Sequence, residues 1–455
     1  MGIATNGMVR AIAATFLIGT ATVAIAQQSR ISPELSKEVI GRIDSDRDRL
    51  VTIFKDLHQH PELGFMETRS SAIVAKELKT LGYDVKTGIG KTGVVAILRN
   101  GAGPTVMYRA DMDANAVQEK TGVPYESKVR VTNLDGVDVP VAHMCGHDAH
   151  MTWLIGVARV MAQMKNRWSG TLVLIGQPAE ELITGARAMV DDGLYTRAGV
   201  PKPDYFVALH TAPTPVGMVS ARPGTAMAGT DQIDITFHGI GGHGSSPHVA
   251  KDPVLMAAQA VTDYQAIVSR TINPSETAVL TVGSIQAGTD NNVIPSEALV
   301  KANLRYFNPA VREKLIEGLK SFSNGVASFY GVAADKMPTF RMKGNSPPLV
   351  NDPAALEHVL LPLRAALGDA MVKTDVPQVL GSEDAHLLRG PYTDVPVTFL
   401  SVGVADPARF QKSMQETGQP PFFNHNNNYD VDLASIPAGA KVGSLVLMEL
   451  LGKAS

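Results

Sequence analysis

An α/β fold interrupted by a smaller α+β block is the architecture this sequence predicts. Three observations carry that expectation. First, short apolar runs (Val94–Leu98, Thr105–Tyr108, Leu172–Ile175, Tyr205–Leu209) alternate with helical patterns, as in a sheet covered by helices on both faces. Second, the character changes near Ser220, where Ile233-Asp234-Ile235-Thr236-Phe237 alternates apolar and polar like a strand with one wet face. From there the elements follow the β-α-β-β-α-β order of a ferredoxin-like sandwich. Third, strand–helix alternation resumes after Asn351-Asp352-Pro353 and continues to the C-terminus. A chain of 455 residues exceeds one ordinary core, so two domains are expected. The predicted division places 27–219 and 344–455 in the main domain and 220–343 in an insertion.

The elements follow in order. Residues 1–26 contain one charged side chain, Arg10, then the apolar run Ala11 to Ala24 and the small-residue site Ala24-Ile25-Ala26. This is the pattern of a secretory signal cleaved after Ala26. The run is shorter than the about 20 residues a bilayer span needs, so no membrane anchor is expected after cleavage. From Glu34 to Leu57 the apolar spacing predicts one helix, broken by His58-Gln59-His60-Pro61. A second helix is predicted over about 67–81, closed by Gly82. Helices are also expected after His150 and over Ile183–Val190. In the insertion, Asp252-Pro253 and Asn308-Pro309 each read as N-cap followed by proline at the first helical position. Strands are predicted over Ala278–Ile285, Ala298–Tyr306 and Pro338–Met342.

Apolar residues make up 44% and charged residues 19% of the chain, and the net charge is −3, with no basic stretch. This describes a globular protein and gives no footing for nucleic acid. The single cysteine rules out an internal disulfide, although export would place the chain in an oxidising compartment. An unpaired thiol there is a liability unless a bound metal protects it.

That cysteine lies in Ala142-His143-Met144-Cys145-Gly146-His147-Asp148-Ala149-His150. In extended backbone, residues two apart point to the same side, so Cys145 and His147 could share one zinc-like ion. Other polar clusters each follow a predicted strand: Arg109 to Asp113, Gln177 to Glu181, and His210. Ligands of open α/β sheets bind beyond the carboxyl ends of the strands, so these clusters should converge. Each alone has an ordinary reading: a buried cysteine, a solvated glutamate pair, a structural histidine. His425, in a loop rich in proline and asparagine, reads in isolation as a surface residue more readily than as a ligand. The glycine-rich loop Gly241-Gly242-His243-Gly244 either cradles a substrate or is a flexible turn.

Taken together, the stretches HQHPELGF (58–65), KTGVVAIL (91–98), RADMDA (109–114), CGHDAHM (145–151), GQPAEE (176–181), GGHGSSPH (241–248), NVIPSEA (292–298) and GSEDAH (381–386) resemble the metal-dependent aminoacylase and carboxypeptidase superfamily. The chain is most similar to its amidohydrolase branch, which contains hippurate hydrolases, N-acyl-amino-acid amidohydrolases and hydrolases of indole-acetyl-amino acids. The resemblance implies a zinc-peptidase-like main domain with a mixed sheet flanked by helices, interrupted by a lid domain that often forms a homodimer. It implies two divalent metal ions, zinc or manganese with cobalt or nickel as alternatives, on Cys145, His147, Glu181, His210 and His425. It places the general base on Glu180, an orienting aspartate on Asp111, and substrate contacts on His243, Asn292 and Arg305. The chain departs from the branch at Asn115-Ala116 after RADMDA, in the longer stretch Lys128–Val141, at Asn426-Asn427 after His425, and at Leu433.

The implied activity is hydrolysis of an N-acyl or N-aroyl amino acid by an exported enzyme. Two rivals remain at this level: a dipeptidase or carboxypeptidase of the same superfamily, and a non-catalytic periplasmic binding protein that reuses the fold. The intact ligand set and Glu180 speak against the second.

Overall fold

The computed structural model describes Gly2 and residues 29–453. Apart from Gly2, the expected signal segment 1–26 lies outside the described residues. Among the described residues no helix is long and apolar enough to cross a membrane.

The main domain is built on an eight-stranded mixed sheet. Its strand order is Asp84–Ile89, Gly93–Asn100, Gly170–Gln177, Thr105–Asp111, Tyr205–Pro215, Val397–Ala405, Val219–Ser220 and Val372–Lys373. The central four, from Gly170–Gln177 to Val397–Ala405, run parallel, and antiparallel pairs flank them on either side. Inner strands, among them the flanking Gly93–Asn100 and the central Thr105–Asp111, are buried almost end to end, because helices and loops cover both faces. One face packs on the helices His147–Gln163 and Ser435–Leu451, and the other carries a second apolar cluster around Val173, Ile175, Met189 and Phe206.

The insertion has its own sheet and its own core. Its strands Gly229–His238, Ala278–Ala287, Glu297–Tyr306 and Thr339–Ser346 are all antiparallel. Numbered in chain order they stand 2-3-1-4 across the sheet, the ferredoxin-like arrangement. The helices Pro253–Asp263 and Pro309–Phe329 close a separate cluster that includes Phe237, Tyr264, Leu304 and Leu315. Ser220 pairs with Ser401 in the main sheet, so the second sheet begins nine residues later, at Gly229.

Several local expectations need correction. The helix read over Glu34–Leu57 is two helices, Pro33–Ser45 and Arg47–Gln59. Asp46 breaks it with φ −100° and ψ 2°, and its carboxylate accepts from Arg159 Nε at 2.5 Å and Nη2 at 3.1 Å. A tertiary ion pair thus sets the break. The helix expected after His150 begins at His147, and the one expected at Ile183 begins at Gly185. The extended geometry assumed for Cys145 to His147 is also wrong. Cys145 sits in a turn, Gly146 takes the left-handed φ of 78°, and His147 opens the helix. A side chain at Gly146 would also come within 2.7 Å of Thr211 Oγ1. The longer stretch 128–141 forms a small ribbon, Arg130–Thr132 against Asp138–Pro140.

His58 ties the N-terminal helices to the segment that carries Cys145. It is buried, with Nδ1 2.6 Å from Asp148 Oδ2 and Nε2 3.0 Å from Glu119 Oε1. Burial alone would lower its pKa, but the two carboxylates outweigh burial and raise it to about 10. His58 is therefore protonated in the fold, and its pKa lies above that of the unfolded chain. Its stabilising contribution is complete below about pH 6.5 and is lost as pH rises toward 10. Replacing His58 with leucine should cost roughly 3–5 kcal/mol near neutral pH, because it strands buried carboxylates. Urea unfolding of both proteins between pH 6 and pH 10 should show their stability gap shrinking with rising pH; a constant gap would contradict a charged His58.

Candidate metal centre and cleft

The carboxyl ends of the parallel strands deliver the site. Thr105–Asp111 ends in Asp111 and leads to Asp113, Gly170–Gln177 leads to Glu180 and Glu181, and Tyr205–Pro215 carries His210. The Cys145 turn is fixed beside them. Asn115 and Ala142 exchange backbone hydrogen bonds of 3.0 and 3.1 Å, and Thr211 Oγ1 donates to Cys145 O at 2.7 Å. His425 arrives from the C-terminal part with a left-handed φ of 69°, and its N–H donates to Met144 O at 2.6 Å.

Cys145, His147 and Glu181 each offer a ligand atom, all within 4.8 Å of one another. His210 Nε2 lies 3.6 Å from Cys145 Sγ, and His425 Nε2 lies 3.2 Å from Glu181 Oε1. Of the expected site residues, these five and Glu180 therefore meet in one place. Both ring nitrogens of His147 and Oε1 of Glu181 are buried without a hydrogen-bond partner. His210 Nδ1 donates to Thr211 O at 2.8 Å, which turns Nε2 toward the thiol. Buried ligand atoms packed this closely without hydrogen bonds are costly unless positive charge, as protons or a metal ion, lies among them. Thiolate, imidazole and carboxylate are the donors a zinc-like ion takes, and the histidine orientation by a carbonyl is typical of such ligands. The residues present fit a divalent metal centre.

The thiol is prepared for that role. Burial and the charge of Glu181 push the Cys145 pKa up, but His210 and His147 outweigh them and bring it to about 6.

The two adjacent glutamates are driven apart. Glu180 is held well above the usual carboxylate range by burial, with the charges of Glu383 and Glu181 adding to it. For Glu181 burial pulls upward too, but His425 and His147 win and lower it to about 2. Neighbouring carboxyl groups with separated proton affinities are what acid–base work and metal ligation respectively need.

Asp111 is engaged through both of its carboxylate oxygens. Its Oδ1 takes His150 Nδ1 at 2.5 Å, and its Oδ2 takes Arg109 Nη1 at 2.7 Å while lying 3.5 Å from His147 Nε2. His150 is equally committed, since its Nε2 accepts from Thr211 N at 2.8 Å. Both orient the centre from behind.

Several residues of the centre were not assigned from the sequence. Asp113 accepts the N–H of Glu180 at 3.1 Å and of Glu181 at 3.0 Å, and lies 3.4 Å from His147 Nδ1. Buried Arg109 holds Glu383 through Nη2 at 2.8 Å and Gln177 through Nε at 2.8 Å. The signal was present, since Asp113 stands two residues beyond Asp111 and Glu383 lies within 381–386, a stretch to which no role had been given.

A cleft of about 680 Å³ opens beside the centre and is lined by Cys145, Glu180, Glu181, His210, Arg305 and His425 among others. Arg305 reaches it from the inserted domain, with Nε on Asn303 Oδ1 at 2.8 Å and Nη1 on Ser382 Oγ. Two expected substrate contacts are elsewhere. His243 and Asn292 lie side by side in the insertion, where Gly242–His243 pairs with Val293–Ile294; both are exposed, and neither lines this cleft. The backbone ladder holds both in the insertion, outside this cleft, so the expected substrate contact of His243 is one with a partner's cleft and not with that of its own chain.

Known proteins agree with this geometry. The pattern described as Peptidase family M20/M25/M40 matches residues 107–449. Thermostable carboxypeptidase 1 of Saccharolobus solfataricus is 31% identical over 426 residues, covering 92% of this chain and 100% of that protein. Hippurate hydrolase of Campylobacter jejuni is 38% identical over 273 residues, 60% of this chain and 68% of that protein. Among solved structures, a dinuclear metal-binding peptidase from Bacillus subtilis superposes with a TM-score of 0.66 at 27% identity, covering 90% of this chain and 99% of that one. The fold, the converging donor set and these matches together make the chain a metal-dependent hydrolase of amide bonds that belongs to Peptidase family M20/M25/M40.

Proposed function

We propose that the chain is an exported amidohydrolase that cleaves N-acyl or N-aroyl amino acids, with Glu180 as general base. The observation that carries this reading is the joining, in one cleft, of the metal-ready cluster, the buried Glu180 and the cationic Arg305. The hippurate hydrolase among the relatives acts, by its name, on such a substrate. Export rests on Arg10, the apolar run Ala11–Ala24 and the Ala24-Ile25-Ala26 site.

Two divalent ions, zinc or manganese in the first instance, would be held by Cys145, His147, Glu181, His210 and His425. Bound there, they supply a water of lowered pKa and a Lewis acid for the amide carbonyl. The protein's own groups do the rest. Glu180, kept basic by burial, takes the proton of the attacking water and returns it to the leaving nitrogen. Glu181 stays ionised beside the histidines. Arg305 pairs its planar fork with the carboxylate of the amino acid and fixes the amide over the centre. The likeness to a carboxypeptidase supports dipeptides as a second substrate class; turnover of acyl-amino acids against dipeptides separates the two.

A chelator should abolish activity, and manganese, zinc, cobalt or nickel should restore it to different extents. Cys145→Ser should weaken metal binding at least about tenfold, since a hydroxyl replaces a thiolate. Metal analysis that finds the variant fully loaded at limiting metal would remove Cys145 from the ligand set.

Glu180→Gln should retain fold and metal but lose about 10²–10⁴-fold in kcat, the range of a general base. Near-normal turnover in this variant would overturn the assignment.

His243 serves a second copy in this reading. It is exposed with Asn292 on the insertion, near exposed Ile240, Val249, Leu255 and Val293, and the strand Ala278–Ala287 is a free edge of its sheet. A symmetric dimer through the inserted domains would cover these groups and bring His243 to the partner's cleft. Neither His243→Ala nor Glu180→Gln should be active alone, whereas co-expressed chains should regain turnover in the heterodimer. Isolated heterodimers that stay inactive would refute action between subunits.

A further inference from the structure

One wall of the cleft is a ribbon made by residues 222–228 and 376–382. Arg222 Nη1 donates to Val376 O at 2.7 Å, Val379 N donates to Ala226 O at 3.0 Å, and Ala228 N donates to Val379 O and Gly381 O at 3.0 Å each. The two segments run parallel at their bridge, Met227 with Val379. Arg222 therefore stands at one end of the wall, and Ser382, which holds Arg305, stands at the other. Both guanidinium groups line the same cleft.

Neither is neutralised. Among the described residues the Arg222 side chain makes a single hydrogen bond, to a carbonyl, and Arg305 bonds an amide oxygen and a hydroxyl. A guanidinium carries five donors, so most of Arg222's are left for something else. None of its nitrogens is among the buried unpartnered atoms, so they reach open space. Its backbone is fixed, since Asn351 Nδ2 donates to Arg222 O at 2.9 Å. Between the two cations the ribbon contributes Ala226, Met227 and Val379 to the lining, and Phe399 and Phe423 add further apolar surface to the same cleft. The sheet relates Arg222 to the metal centre: His210 pairs with Ser401, and Ser401 with Ser220, so Arg222 follows a strand two places from the one that carries His210.

We propose that Arg222 is an anion subsite for the acyl half of the substrate, so that the preferred substrates are amino acids acylated by a dicarboxylic acid. This rests on the amidohydrolase reading above and names its substrate class. Arg305 takes the α-carboxylate at one end of the cleft, the amide lies over the metal centre, and Arg222 takes the terminal carboxylate of the acyl chain at the other. The apolar wall accommodates the methylenes between. A planar fork pairs with a carboxylate through two charge-assisted hydrogen bonds, which a neutral amide in the same place cannot reproduce.

The test uses the full metal-loaded protein with N-glutaryl-alanine and its neutral counterpart, in which the terminal carboxylate is an amide. The wild type should show at least about a tenfold higher kcat/KM for the glutaryl compound. Arg222→Gln should collapse that ratio toward one, and Arg222→Lys, which keeps the charge, should retain part of it. N-acetyl-glutamate, whose second carboxylate is on the amino-acid half, should show no such dependence on Arg222; dependence confined to it would move the subsite to the other half and overturn the proposal. Calorimetric binding of both glutaryl compounds to the chelator-treated protein reads the same preference without turnover. If neither compound is hydrolysed but binding favours the carboxylate through Arg222, the subsite stands and the hydrolytic reading falls. Equal handling of the two compounds by the wild type, in turnover and in binding, refutes the subsite alone.

Discussion

One carboxylate gripping two consecutive backbone N–H groups sets the character of this centre. Asp113 places one oxygen on Glu180 N and the other on Glu181 N. The chain is pinned in a turn from which the two side chains diverge, one toward Glu383 and one toward His425 and His147. The turn is strained: Ala179 and Ile183 on either side have φ of 48° and 53°, left-handed values that cost a non-glycine residue roughly 1–2 kcal/mol each. Gly185 closes it so tightly that an added Cβ would lie 1.5 Å from Pro178 O. Glu67 holds the other side, accepting from Ala179 N at 2.8 Å and Phe65 N at 3.0 Å. The strain is offset by these charge-assisted bonds, and the result is two adjacent carboxyl groups with opposite proton affinities.

Behind that turn lies a fully buried ionic layer. Arg109 bonds Asp111, Glu383 and Gln177, and Gln177 in turn donates to Asp384 Oδ1 at 2.5 Å. Burying so many charges costs more than a hydrophobic core of the same volume would, so stability alone does not explain the layer. Its geometry explains it better. Asp111 passes the constraint through His150 to Thr211, whose neighbour His210 faces the thiol. The same layer sets negative charge against Glu180, which raises its basicity. A metal centre assembled from strand ends and loops gains a rigid backing from groups that never touch a ligand.

Much of this was legible in the residues. Asp252, Asn308 and Asp352 each cap the helix that their Asx-Pro pattern announced, with side-chain oxygens accepting from Val254 N, Ala310 N and Ala355 N. The strand ends could be read because apolar runs stop at polar clusters, and Arg109 to Asp113 and Gln177 to Glu181 stand where they should. The misses share a cause, which is that tertiary contacts overrode local pattern. Asp46 looks like an ordinary helical position until Arg159 arrives from another helix. The approach of Cys145 to His147 comes from a left-handed glycine and a helix start, where alternation along a strand had been assumed. Asp113 and His150 went unassigned because their work is done on backbone N–H groups and a second carboxylate, and no spacing rule reports that.

The division of labour between the two sheets has a mechanical consequence. Every candidate metal donor belongs to the main domain, whereas Arg305 is carried by a strand whose neighbours and core are those of the insertion. The arginine reaches the cleft only through side-chain bonds to Asn303 on its own strand and Ser382 on the main domain. That bond fixes the cation against the main domain, and Ser346 Oγ, which donates to Glu383 O at 2.7 Å, adds a second tie between the domains. The insertion also packs on the turn that carries the two glutamates, since a Cβ at Gly344 would lie 2.5 Å from Leu182 O, so a rotation of the insertion would be felt at Glu181 as well as at Arg305. Substrate bound between Arg305 and the centre then bridges the two domains, and its binding energy favours the arrangement in which both ends are held. The inserted sheet is tied to the glutamate turn and to the cleft wall at once, so the positions of Arg305 and of Glu181 are set together.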